Sequence, residues 1–187
     1  MPRHALVTGF QPFGGRAINA SELAVRELDG RTIAGRLVIA RVLPVTFARA
    51  TPALRALLDE HDPELVICTG EADRPAVCVE RIAINVDDAR IADNAGAQPV
   101  GVAIARGGPA AYASTLPLER IAHAIGERGV AVAVSESAGT FVCNHVFYGL
   151  MHELVHRPGV RGGFIHVPAQ MPTADIVTAL IAAVEAA

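Results

Sequence analysis

The sequence predicts one α/β domain, residues 1–187, built as a three-layer α/β/α sandwich around a largely parallel, twisted sheet. Three observations predict it. Short runs of Val, Ile, Leu and Ala alternate along the chain with amphipathic helical segments. Hydrophobic residues make up 51% of the chain but aromatics only 4%, so the core is aliphatic. The 187 residues hold no linker, repeat or low-complexity segment, and that length suffices for one sizeable core.

In order, His4 to Thr8 is a short apolar run ending in Gly9, a buried first strand. Asn19 is a helix N-cap, and Glu22 three residues on completes a capping-box pattern. That helix carries Leu23, Val25 and Leu28 and stops at Asp29-Gly30. Arg36 to Val45 is the second strand, Phe47 to Glu60 a helix with a proline in an early turn, and Glu64 to Thr69 a third buried strand with Cys68 in its core. The stretch V-C-V-E-R-I-A-I-N alternates like a strand. Asp87 to Pro99 is polar and turn-rich, a long loop of the kind that often carries function. Gly101 to Ser114 has room for a short hairpin. Leu116 to Arg128 is a helix, Val130 to Val134 a strand, and Gly162 to Val167 the last strand. Thr173 caps the closing helix, which ends at Ala186.

Composition narrows the function classes. Net charge is −3 with no basic stripe, which argues against nucleic acid. No uninterrupted apolar run is long enough to cross a bilayer, so no membrane partner is expected. The N-terminal segment M-P-R-H-A-L-V-T-G has no secretory pattern, and the cysteines are few and odd in number. The expectation is a cytoplasmic protein with free thiols. All sixteen basic residues are arginine. Schiff-base chemistry, Ser-Lys pairs and the phosphate-binding lysine of a P-loop are therefore excluded.

The candidate chemistry centres on S-E-S-A-G-T-F-V-C-N-H-V-F-Y, Ser135 to Tyr148. Cys143 stands where a strand hands over to a helix, near unpaired helix N–H groups and the positive end of the dipole. Both favour the reactive thiolate. The plainer alternative is a small core hydrophobe, since free cysteine is among the most buried residue types. The loop G-F-Q-P-F-G-G carries Phe10 and Phe13, which either wall a pocket for a flat apolar group or fold back onto the core. Glu80 lies either on a solvated strand face or against a histidine that it orients. Arg90 is a candidate to stabilise an anionic intermediate; alternatively it pairs with Asp87, Asp88 or Asp93. His166 closes the last strand, at the sheet end where α/β sites gather. A cysteine, a histidine and a carboxylate on separate elements make a nucleophile, a base and an orienting group.

One motif competes. His152 to His156 reads H-E-L-V-H, the zinc-hydrolase helix pattern, and Gly159 fits its longer form. The third histidine position is Gly162, however, and Pro158 ends the helix. Helical spacing puts Cys143, Phe147, Leu150 and Leu154 on an inward face and His145, Gly149, His152 and His156 on a solvated stripe. No metal is expected.

Taken together, these segments resemble the pyroglutamyl peptidase I family of cysteine peptidases, over nearly the whole chain. G-F-Q-P-F-G-G is similar to the family's G-F-x-P-F-G-G. R-P-A-V-C-V-E-R-I-A-I-N, V-D-D-A-R-I-A-D-N, S-A-G-T-F-V-C-N-H-V-F-Y-G and G-F-I-H-V-P follow in family order. The resemblance implies Cys143 as nucleophile, His166 as base and Glu80 as orienting carboxylate. Phe10, Phe13 and Asn19 would form the pyroglutamate pocket, with Phe141 adjoining and Glu71 near the lactam. It also implies no cofactor, peptides with N-terminal pyroglutamate as substrates, and a homotetramer. One segment departs: where the family reads G-Q-A-G-G-R, Gly70 to Arg74 reads G-E-A-D-R, one residue shorter. Two carboxylates, Glu71 and Asp73, would then stand near a neutral lactam, and Cys78 occupies a position usually Ser or Thr. The alternatives are thus a related cysteine amidase with altered acyl choice and a non-catalytic lactam binder.

Overall fold

The computed structural model describes residues 3–187; Met1 and Pro2, part of the N-terminal segment read above, lie outside them. The chain runs β1 (Arg3–Phe10), α1 (Ala20–Arg26), β2 (Thr32–Ile33), β3 (Arg36–Leu43), α2 (Phe47–His61), β4 (Leu65–Ala72) and β5 (Val77–Glu80). It continues through β6 (Ile82–Ile84), β7 (Ala111–Ala113), α3 (Leu118–Gly126), β8 (Val132–Ser135), α4 (Val142–Leu154), β9 (Arg161–Pro168) and α5 (Thr173–Ala186). Seven strands form one sheet in the order β2-β3-β1-β4-β9-β5-β8. Among the described residues no helix is long and apolar enough to cross a membrane.

The expected sandwich is present. β1 pairs in parallel with β3 and β4, and β4 with β9. The central strands are apolar on both faces because helices cover both. Ala24 and Val25 of α1, Ile121 and Ile125 of α3 and much of α5 pack on one face. Leu54 and Leu58 of α2, with Val146, Phe147 and Leu150 of α4, pack on the other. The sheet is mixed at one side: β5 runs antiparallel to β9 and parallel to β8. Its register sets Cys78 opposite His166 and Glu80 opposite Phe164. Glu80 therefore projects from the same sheet face as His166 and the α4 layer.

Several local expectations are corrected. The alternating run around Glu80 is not one strand. It breaks at Arg81, whose side chain pairs outward with Glu119 and Glu136, and β6 leaves the main sheet to pair with β7. The hairpin expected within Gly101 to Ser114 is instead this long-range pairing. Asn19 does cap α1, its Oδ1 accepting the Ser21 N–H at 2.9 Å, but Glu22 closes no capping box. Glu22 is taken by Arg26 one turn on, 2.8 Å away. Thr173 is the first residue of α5, not its cap; Pro172 holds the cap position without a side-chain bond.

The stripe of α4 expected to be solvated is largely packed. Gly149 is buried against Thr51 of α2, and His152 Nδ1 and the Tyr112 hydroxyl share a hydrogen bond of 2.8 Å. Helical spacing within α4 does not reveal α2, which lies against this second face at Gly149. A Cβ at Gly149 would meet Thr51 Cγ2 at 2.7 Å, so the crossing needs glycine. Gly149→Ala is expected to lower stability by about 1–2 kcal/mol in urea unfolding, overpacking outweighing the gain in helix propensity.

Candidate active site

Cys143 sits in the first turn of α4. Phe141 holds the N-cap position and supplies no side-chain acceptor, so no side chain ties up the first-turn N–H groups. The thiol faces β4 at Gly70, where a Cβ would stand 2.7 Å from Sγ and 3.0 Å from the Phe164 ring. Only glycine lets the helix start come this close to the sheet. Gly70 is in turn the register partner of His166. Cys143 and His166 line one cavity of about 540 Å³, with Phe13, Phe141, Arg16 and Arg90 among its other walls.

Glu80 is fully buried, which decides against the solvated-face alternative. Its Oε1 lies 2.7 Å from His166 Nδ1. A carboxylate only accepts, so Nδ1 carries the proton and Nε2 keeps its lone pair. The same Oε1 accepts a bond of 3.0 Å from Arg74 Nη1, and Arg74 also donates to Ser135 Oγ and to the Ser137 carbonyl at 2.9 and 2.8 Å. Arg74 thus ties the carboxylate to the turn that precedes Cys143. Nothing in the spacing of the sequence singles it out.

The residues expected to form a pocket do converge. Phe10, Phe13, Asn19, Glu71 and Phe141 line a narrow slot ending at Cys143. Both alternatives for the phenylalanines apply in part. Phe10 is a core residue against Phe164, ring centres 6.5 Å apart, that shows one edge to the slot. Phe13 is half-buried and faces Phe141 at 5.9 Å, and Phe47 meets Phe141 edge-on at 5.5 Å. Asn19 is held on both sides: Nδ2 donates to the Gln11 carbonyl, while Oδ1 accepts from the Ser21 N–H and hydroxyl. Glu71 is held by the Ala20 N–H at the start of α1, 2.6 Å from Oε2, and by Arg16, 2.7 Å from Oε1. Its charge is thus compensated, and Asp73 lies exposed at the cavity rim.

Arg90 lines the cavity and is exposed. None of the three carboxylates offered as its partners pairs with it, and Asp88 accepts only from the Gly101 N–H. Asp87 lies 2.8 Å from His145 Nδ1, and Asp93 accepts from the N–H groups of Phe47, Ala95 and Ala97. Arg16, Arg74 and Asn144 were given no role from the sequence, although Arg74 and Asn144 lie within the quoted motifs, and Asp87 only that of a candidate partner for Arg90. Asn144, next to the cysteine, bonds Ile84 through both amide groups and reaches Val86, tying α4 to β6. Among the described residues no three His, Cys, Asp or Glu side chains gather as a metal site would need, and His156 lies beyond the end of α4.

Comparison with known proteins gives this arrangement its family. The family model described as pyroglutamyl peptidase matches residues 3–186. The pyrrolidone-carboxylate peptidase of Klebsiella pneumoniae (strain 342) is 55% identical over 164 residues, covering 87% of this chain and 77% of that one. The crystal structure of pyroglutamyl peptidase I from Bacillus amyloliquefaciens superposes with a TM-score of 0.96 at 44% identity, covering 100% of this chain and 95% of that one. The chain belongs to the pyroglutamyl peptidase family. A mutant pyrrolidone carboxyl peptidase of the hyperthermophile Pyrococcus furiosus, 38% identical, superposes with a TM-score of 0.95 over 98% of this chain and 97% of that one.

As a member of that family the protein is a cysteine hydrolase, yet its site does not favour a resting thiolate. Burial pushes the Cys143 thiol up to about 12, with the Glu80 charge adding to the rise. Arg74 and a backbone N–H pull the other way without overcoming it. Burial thus acts against the pull towards thiolate expected of the helix N-terminus. Because the charged form is the one disfavoured, thiolate reactivity must appear at higher pH than in a free cysteine. Alkylation of Cys143 by iodoacetamide without substrate is expected to climb about tenfold per pH unit through pH 10. The urea-unfolded chain, in which all three cysteines react, should level off above about pH 9, and Cys143→Ala should remove the signal of the folded protein.

Proposed function

We propose that the protein removes N-terminal pyroglutamate from peptides, with Cys143 as nucleophile, His166 as general base and acid, and Glu80 as the group that orients His166. The observation that carries the reading is the Glu80–His166 hydrogen bond of 2.7 Å, in the cavity that Cys143 shares and beside a slot walled by phenylalanine. Pyroglutamate is a flat, neutral lactam without a free amine. Aromatic walls suit such a ring.

In this mechanism the Cys143 sulfur attacks the carbonyl carbon that joins pyroglutamate to the next residue. The thiol proton passes to His166 Nε2 as the bond forms, which suits a nucleophile that rests protonated. The oxyanion is held by backbone N–H groups at the start of α4, with Arg90 across the cavity as a supporting charge. Collapse expels the amine, which takes the proton from His166 and leaves a pyroglutamyl thioester. Water then gives a proton to His166 and adds to the thioester. Pyroglutamate departs and the proton returns to sulfur. Phe10, Phe13 and Phe141 contact the ring, Asn19 shapes the slot through its backbone bonds, and Glu71 faces the lactam. The family reading also implies a homotetramer without a cofactor, and the composition of the chain adds a place in the cytoplasm with neither nucleic acid nor membrane as partner.

Release of a fluorescent amine from a pyroglutamyl amide tests this. Wild type is expected to turn over, Cys143→Ala to show none, and His166→Ala to lose at least about 10³-fold in kcat. Glu80→Gln should lose about 10²–10⁴-fold, because the base loses its orienting acceptor but is still present. Turnover by Cys143→Ala equal to wild type would exclude the assignment.

A further inference from the structure

The slot beside Cys143 has one member of a charged pair, Glu71, in its wall; the other, Arg16, lines the adjoining cavity. Glu71 has 2% of its side chain exposed, and no hydrogen-bond donor reaches Oε1, although Arg16 Nη1 lies 2.7 Å away off the hydrogen-bond line. The other polar side chain of the wall, Asn19, has its oxygen committed twice over, and its amide nitrogen, a donor only, bonds the Gln11 carbonyl. Glu71 Oε1 is thus the side-chain oxygen of the slot with accepting capacity to spare. A carboxylate is an acceptor only, so it asks for an N–H. Left to itself it would prefer a cation. The five-membered ring of an N-terminal proline has the size of the pyroglutamyl ring and carries a protonated nitrogen at neutral pH. Against a bare carboxylate it would be the better ligand.

Resting on the peptidase reading above, we propose that Arg16 is the specificity-determining residue that reverses this preference. Its guanidinium makes the pair neutral overall, so the slot takes a neutral ring N–H and turns away a cationic one. The two members are placed for that division of work. Arg16, with 42% of its side chain exposed, stays hydrated on the cavity side, whereas Glu71 depends for its compensation on Arg16 and on the α1 N-terminus. Selection against the wrong ring is then a matter of repulsion rather than of added contacts.

The test compares wild type, Arg16→Ala, Glu71→Gln and the double variant in two readouts. One is protection of Cys143 from iodoacetamide by pyroglutamamide against protection by prolinamide. The other is kcat/KM for pyroglutamyl and prolyl amides of the same fluorescent amine. Arg16→Ala is expected to lower the preference for pyroglutamyl over prolyl at least about tenfold in both, through KM more than kcat. Adding Glu71→Gln should abolish the gain for proline, because the uncompensated charge is gone. A preference in Arg16→Ala within twofold of wild type overturns the proposal, as does a gain for proline that persists in the double variant. If Arg16→Ala melts early, Arg16→Gln, neutral and of similar length, gives the same comparison. A wild type that pyroglutamamide protects but that turns over no pyroglutamyl amide overturns the peptidase reading instead; the protection ratios then decide the role of Arg16 by themselves.

Discussion

One oxygen atom, Glu80 Oε1, organises the catalytic side of the molecule. It accepts from His166 Nδ1 and from Arg74 Nη1, and Arg74 goes on to hold Ser135 and Ser137 ahead of the cysteine helix. Strand β9, strand β5 and the turn before α4 are thereby tied to a single buried carboxylate. β5 runs against β9, and their register sets Cys78 and Glu80 beside His166 and Phe164.

Charge inside the site is compensated group by group. Glu80 has Arg74, and Glu71 has Arg16 and the start of α1, while Asp87 is hydrogen-bonded to His145 Nδ1. Each of the three carboxylates nevertheless keeps one buried oxygen without a hydrogen bond: Glu80 Oε2, Glu71 Oε1 and Asp87 Oδ1. Buried carboxylates normally use both oxygens. Their concentration around one cavity marks a region shaped for something other than stability, and the thiol raised by burial belongs to the same pattern.

Much of this was legible in the sequence because the motifs are local. The phenylalanine loop, the cysteine segment and the histidine strand each lie on contiguous residues, and all end where the sheet delivers them to one cavity. The strands and helices followed from periodicity, since apolar runs and amphipathic stretches answer to the nearest turn of chain. Misreadings arose where a distant partner won. Glu22 was taken by Arg26, the run through Arg81 was split between two sheets, and Gly149 was claimed by Thr51. The short Gly70 to Arg74 segment reads as two stray carboxylates until Arg16 is seen against one of them.

By itself the sequence determined the fold class, the aliphatic core, the family likeness and the residue types that carry the chemistry. These depend on composition, short-range periodicity and motif order. The tertiary structure alone decided that Glu80 is buried against His166, that Arg74 shares its oxygen, that Arg16 neutralises Glu71 and that burial raises the Cys143 thiol. The physical reason is common to all four. Electrostatic state is set by burial and by whichever charge lies within a few ångströms, and neither can be read from neighbours in the chain.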